Sequence, residues 1–294
     1  MDVTMGLLAA LLWGGTDFLV GLNSRAVGVK RAVYFGQALG FLIMTLLLVI
    51  FPAFLFKALD ATLSVWLLGV AAALLTVSGA LALSKAFAMG KAAIVAPLVT
   101  SYGVVTTLLS WASGEHISLI QLGCIALCVI GVVLSSIHKD NGTPHNNPRL
   151  SIAYAMSAAT LYGTSFWLQG RYTLPALGPI TMLWLGYLVG LCVLVVMVLK
   201  IKDGLKIPPL KNCATLTGAS LMNLGGFSAF SWGAMAGSVS VVTVISTLSG
   251  GIAAILGFVF FKERLSAVQV AGVVLVLVGA VVLHIADIAH KKAA

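Results

Sequence analysis

The sequence predicts an all-α polytopic membrane protein: ten transmembrane helices arranged as two inverted five-helix repeats. Three observations predict it. Hydrophobic residues make up 60% of the 294 and charged residues only 9%, with a mean hydropathy of +1.10, whereas soluble domains carry about 25% charged residues. Apolar runs near the ~20 residues that span a bilayer recur along the chain. The chain also repeats itself: Glu115-His116-Ile117-Ser118-Leu119-Ile120-Gln121 returns 148 positions later as Glu263-Arg264-Leu265-Ser266-Ala267-Val268-Gln269. The match extends through Ser101/Ser249, Gly103/Gly251, Leu127/Leu275, Gly131/Gly279 and Val133/Val281. At offset 149, Trp13-Gly14 aligns with Tyr162-Gly163 and Gly21 with Gly170. A unit that crosses the membrane an odd number of times, used twice, lies inverted in its second copy.

In chain order, the expected spans are 3–22, ending at a loop with Arg25, Lys30 and Arg31; then 31–52; then 63–84, stopping before Lys85; then 91–110, after Lys91; and 118–137, opened by Ser118. The polar stretch His138–Arg149 (HKDNGTPHNNPR) is rich in turn formers and separates the copies. The second set is 150–168, 179–199 (followed by Lys200 and Lys202), 214–235 (preceded by Lys206 and Lys211), 239–259 and 266–286, the last opened by Ser266. The organisation is then a first repeat over 1–138, a linker over 139–149 and a second repeat over 150–294.

The net charge of +9 does not point to nucleic acid, because its basic residues sit in short loops between apolar runs. Loops after odd-numbered spans hold 13 of the 17 Lys and Arg; the termini and other loops hold Lys57, Arg171, Lys291 and Lys292. By the positive-inside rule, the odd loops face the cytoplasm and both termini lie outside. Cys124, Cys128, Cys192 and Cys213 show no paired metal spacing and read as small hydrophobes. His138 and His145 are weak metal candidates; no metal site and no cofactor is expected. The first apolar run reads as a span and not a cleavable signal, since it has no basic n-region and a basic loop follows.

Leu12-Trp13-Gly14, Gly114-Glu115 with Ser118, and Lys262-Glu263-Arg264-Leu265-Ser266 resemble the drug/metabolite transporter superfamily, in its ten-helix EamA-like branch. The resemblance covers nearly the whole chain. It implies a ten-helix bundle in the cell (inner or plasma) membrane, alternating access, and transport of small metabolites, often export. It also implies termini in the cytoplasm, opposite to the charge count. Thirteen residues before each Glu, where the family often has proline, this chain has Tyr102 and Gly250.

Asp17 is the one carboxylate well inside an apolar span, and Trp13 lies one turn back on the same face. A carboxylate at that depth costs about 2.5–3.5 kcal/mol, so it faces a cavity or a partner. It suits an amine or cation through ion pairing and cation–π contact, or a coupling proton; the structural alternative is an ion pair with Lys85. Tyr162, Ser165, Trp167 and Gln169 form the corresponding face in the second repeat, where Phe166 is the mate of Asp17. Asn223 and Trp232, mates of Thr76 and Lys85, and Gln37 in span 2 are either solute contacts or helix-to-helix hydrogen bonds. The expected binding set is Trp13, Asp17, Gln37, Tyr162, Ser165, Asn223 and Trp232. Pro97, Gly250 and Gly251 read as close-packing positions or as hinges. Glu115 and Glu263 precede helix starts and read as dipole partners.

The expected function is secondary active transport, by alternating access, of small metabolites such as amino acids or amine-bearing amphipathic solutes. The direction is export, with Asp17 a candidate for proton coupling. An alternative is uptake of an organic cation such as a quaternary amine. A membrane-embedded lipid enzyme would need clustered His, Asp, Cys or Ser, which the sequence does not offer. The partners are then a small-molecule solute, the lipid bilayer and protons, with no nucleic acid; a monomer is expected, with a dimer left open.

Overall fold

The computed structural model describes residues 2–114, 147–201, 205–237 and 239–261, with separate positions within 120–134 and 266–282. Glu115, Ser118, Cys124, Cys128, His138, His145, Glu263, most of the expected fifth span and about half of the tenth lie outside the described residues. Every element among those described is helical: α1 (Asp2–Val27), α2 (Val29–Ile50), α3 (Ala53–Leu59), α4 (Leu63–Met89), α5 (Ala92–Val99), α6 (Tyr102–Ala112), α7 (Pro148–Leu168), a π-helical turn (Gln169–Thr173), α8 (Leu174–Leu199), α9 (Leu210–Ala236), α10 (Val239–Ser246) and α11 (Ser249–Phe261).

Five stretches are long and apolar enough to cross a membrane: Thr4–Val27, Val29–Ile50, Leu63–Met89, Ile94–Ala112 and the 51-residue Arg149–Leu199. The last, at ~1.5 Å per residue, exceeds twice the ~30 Å hydrocarbon thickness, so it must turn. It does so at Gly178, after the π turn, with a φ of 75° that belongs to the left-handed region glycine alone enters freely. The expected loop between the sixth and seventh spans is therefore helical. The 27-residue α9 is not among the five, since Asn212, Thr215, Ser220, Asn223, Ser228 and Ser231 dilute its apolar character. Large apolar side chains line the outside, including Leu42, Leu46 and Val49 on α2, Leu67 on α4 and Phe258 on α11, all more than half exposed. A surface of that kind is matched to lipid.

The expected fourth span is two helices, and so is the ninth. Around Thr100–Ser101 the backbone tightens: Ser101 N–H donates to Leu98 O (3.2 Å), Gly103 N–H to Thr100 O (3.2 Å) and Val104 N–H to Ser101 O (3.0 Å). Pro97, which has no N–H to donate, weakens α5 just before this point. The hydroxyls of Thr100 and Ser101 take the carbonyls of Pro97 and Leu98, at 2.7 and 2.8 Å. The same three-residue bonds recur at the equivalent place in the second repeat: Leu248 to Ile245, Gly250 to Thr247 and Gly251 to Leu248, each 3.1 Å. There no proline is present, and the weak helix formers Thr247, Ser249, Gly250 and Gly251 serve instead. Gly250 packs at the crossing, against Thr100 and Ala96.

Packing is reciprocal between the halves. α1 lies against α9, α10 and α11, while its repeat mate α7 lies against α4, α5 and α6; α2 packs on α8. Helices of one repeat thus find their main neighbours in the other, and the space between the repeats is where any central cavity must lie.

Candidate functional site

Spacings of three and four on α1 bring Trp13, Thr16, Asp17, Val20 and Asn23 to one face. That face, with α2, α4, α7 and α9, encloses a cavity of about 950 Å³ including its mouth. Val99, Tyr102 and Ser249 enter from the broken helices, so both helix breaks border the same space. The lining runs from the middle of the helices toward Asn23, Ala32, Ser84 and Leu216, the end that carries the basic loops. At the deep end the cavity is floored by rings. Phe166 stacks between Trp13 (centroids 5.5 Å, 15°) and Tyr162 (6.0 Å, 12°). Tyr102 meets Trp13 and Phe166 edge-on, and Phe227 closes on Trp13 at 5.0 Å.

Asp17 is 7% exposed and lines this cavity. Lys85, its expected structural partner, is exposed on α4, and no ion pair joins them. The structural reading of Asp17 as half of that pair is thereby corrected: the carboxylate faces the cavity and the ammonium faces outward. Among the described residues, no Lys, Arg or His lines the cavity.

Of the seven expected binding residues, Trp13, Asp17, Gln37, Tyr162 and Asn223 come together on the wall. Ser165 does not. It is fully buried, donates to Ala72 O at 2.7 Å and accepts from Gln169 Nε2 at 2.9 Å, clamping α7 to α4 with Thr76 (2.7 Å). Trp232 is 46% exposed on the outer surface. Nine residues beyond Asn223, it sits two and a half turns on and faces the opposite side. Trp232→Ala is accordingly expected to leave solute affinity unchanged, within about twofold, since surface substitutions of this kind stay within ~0.5 kcal/mol; competition binding on the purified variant measures this.

Thr16, Asn23, Ser84, Tyr102, Ser220, Phe227 and Ser249 also line the cavity and are not in the binding set expected from the sequence. The signal for Thr16 and Asn23 was available, because both continue the helical face of Trp13 and Asp17. Tyr102 and Ser249 become legible only once the broken helices are seen to cross. A second, smaller cavity of about 390 Å³ lies toward the other end, between α2, α4, the π turn, α8 and α9. It shares Gln37, Thr76 and Phe227 with the first. These three residues form the partition between the two.

The EamA-like transporter family model matches the chain twice, over residues 2–137 and 149–285. The chain belongs to the EamA-like transporter family. Membership makes this a multi-pass membrane protein from a family of transporters, and gives physical sense to a cavity enclosed by two copies of one unit. One solved crystal structure of a protein is similar to this EamA-like chain with a TM-score of 0.70, over 96% of this chain and 95% of the other, at 15% identity. At that identity the likeness shows the fold alone. No curated protein matches the sequence.

Proposed function

We propose that this EamA-like protein is a secondary transporter of small amine-bearing solutes, held between its two repeats by Asp17. The observation that carries this is a carboxylate, with no ion-pair partner among the described residues, on the wall of a cavity floored by aromatic rings. A buried charge is held at a cost that a cation in the cavity would offset, and the rings add cation–π attraction.

The ten-helix, inverted arrangement supplies the motion. The cavity reaches toward the basic end, which the positive-inside rule places in the cytoplasm, so the solute enters from within and leaves outward: the protein is an exporter of the inner or plasma membrane. Opening the partition of Gln37, Thr76 and Phe227 joins the cavity to the second one and completes the path, while closure of the basic end seals the first. The chain has no nucleotide-binding loop, so the solute gradient or an ion gradient drives the cycle. A proton competing with the amine for Asp17 would couple the two.

The test is counterflow in proteoliposomes. Vesicles loaded with a primary amine are expected to accumulate the labelled amine transiently, and an imposed proton gradient to drive net flux against it. Exchange of organic anions with no response to amines would contradict the proposal. A reporter fused after Ala294 reads the orientation: signal from the outer side is expected.

A further inference from the structure

The hydroxyls around Asp17 have a definite hydrogen-bond polarity. A hydroxyl has one proton to give and two lone pairs to offer. Thr16 donates its proton to Leu12 O (2.9 Å) and Ser220 to Leu216 O (2.8 Å). Thr76 lies 3.0 Å from Ala72 O and 2.7 Å from the Ser165 hydroxyl, and donates to one of them in every assignment. Ser246 donates to Thr243 O (2.7 Å), so Tyr102, 2.9 Å from Ser246, is the donor of that pair. Four hydroxyls on the wall therefore have no proton to give a solute and can only accept.

Asn23 adds to them. The single Thr215 proton has two acceptors within reach, Asn212 O at 3.0 Å and Asn23 Oδ1 at 2.7 Å, while the buried Asn23 Nδ2 has no partner. Turning the amide by 180° lets Nδ2 donate to Thr215 and Thr215 to Asn212 O, and leaves Oδ1, an acceptor, as the buried atom without a partner among the described residues. Donors on the wall include the amides of Gln37 and Asn223 and the hydroxyls of Ser84, Tyr162 and Ser249, none of them charged.

We infer that the cavity selects a cation that carries N–H groups and no carboxylate: a primary amine, in preference to a quaternary ammonium or an amino acid. The inference rests on the reading of Asp17 as the solute site and narrows it. An ammonium with N–H groups gives Asp17 and the surrounding lone pairs the protons they lack. A quaternary ammonium has no N–H, so it strips water from those acceptors without replacing the bonds. An amino acid brings a carboxylate that meets no cation among the described lining residues.

Three probes share one ring and one chain: 2-phenylethylamine, its N,N,N-trimethyl derivative, and phenylalanine. Binding to the full-length protein is read by thermal shift and by competition in counterflow. The amine is expected to act at a concentration about tenfold lower than either of the others, the ratio that roughly one net hydrogen bond supplies. Replacing the acceptors in the double variant Thr16→Val, Ser220→Ala is expected to reduce the amine-to-trimethyl ratio below about threefold, a change that a purely structural loss would not produce. If the trimethyl derivative binds as well as the amine to wild type, the selectivity is overturned while Asp17 stands as a cation site. Tightest binding by phenylalanine overturns both. If none of the three binds, and Asp17→Asn behaves as wild type toward all of them, the site itself is misassigned and the selectivity falls with it.

Discussion

Asp17→Asn is expected to lower amine binding and counterflow about 100-fold while leaving the protein folded. Asparagine keeps the shape of the side chain and removes its charge. Truncating one partner of a buried charge pair costs about 2–5 kcal/mol, and each 1.4 kcal/mol is about tenfold in affinity, so a 100-fold loss sits near the lower end of that range. The same substitution acts oppositely on the empty protein. Wild type buries a carboxylate that is 7% exposed without a cationic neighbour among the described residues, and a neutral amide in its place removes that desolvation cost. Thermal melts of the empty forms should therefore place the variant at or above wild type. Added amine should raise the melting temperature of wild type alone. A variant that unfolds without ligand would make Asp17 a structural residue; a variant that still binds amine normally would remove it from the site.

The second large effect is expected at the repeated glycines. Gly14 and Gly163 occupy equivalent places, and each lets its helix press against the broken helix of the other repeat. A Cβ at Gly163 would lie 2.6 Å from Val105 Cβ and 2.7 Å from the Tyr102 carbonyl oxygen; one at Gly14 would lie 2.6 Å from Ile252 Cβ and 3.1 Å from the Ser249 carbonyl oxygen. Backbone cannot step aside as a flexible side chain does. Thr106 also ties α6 to α7 here, donating toward Gly163 O at 3.0 Å. Overpacking costs about 1–3 kcal/mol and more where nothing yields, and close helix approach is a main source of stability in lipid. Gly163→Val and Gly14→Val are expected to lose most of the monodisperse protein on size-exclusion chromatography. Gly186→Ala, whose Cβ would meet nothing within 4 Å, should not. Normal yield of both valine variants would mean that α1 and α7 do not cross the breaks as closely as described.

The repeat, the helical class and the membrane setting were legible in the sequence because they rest on features summed over many residues: apolar runs, a 148-residue register and basic loops. The helix breaks were only half legible. Pro97 marks the first, but the second has no proline, and its position shows only through the repeat. The turn at Gln169–Thr173 gave no signal, since a π turn keeps helical composition. Asp17 and Trp13 stood out because polar and aromatic groups deep in an apolar run are costly or conspicuous. Ser165 and Trp232 were expected at the site and lie elsewhere, since polarity and ring size do not encode which way a helix face points. Lys85 misled for the same reason: it shares a membrane side with Asp17 but faces away from it.

The central claim is that a solute amine meets the Asp17 carboxylate inside the cavity, and carboxyl modification tests it most directly. The full-length protein is treated with a hydrophobic carbodiimide, and the adduct at Asp17 is quantified by peptide mass spectrometry with and without a transported primary amine. Occupancy of the cavity predicts that Asp17 is modified in the empty protein and that saturating amine slows the modification at least about tenfold, in step with the amine concentration that half-saturates counterflow. Modification of Asp17 at an unchanged rate, under amine concentrations that saturate transport, would contradict it.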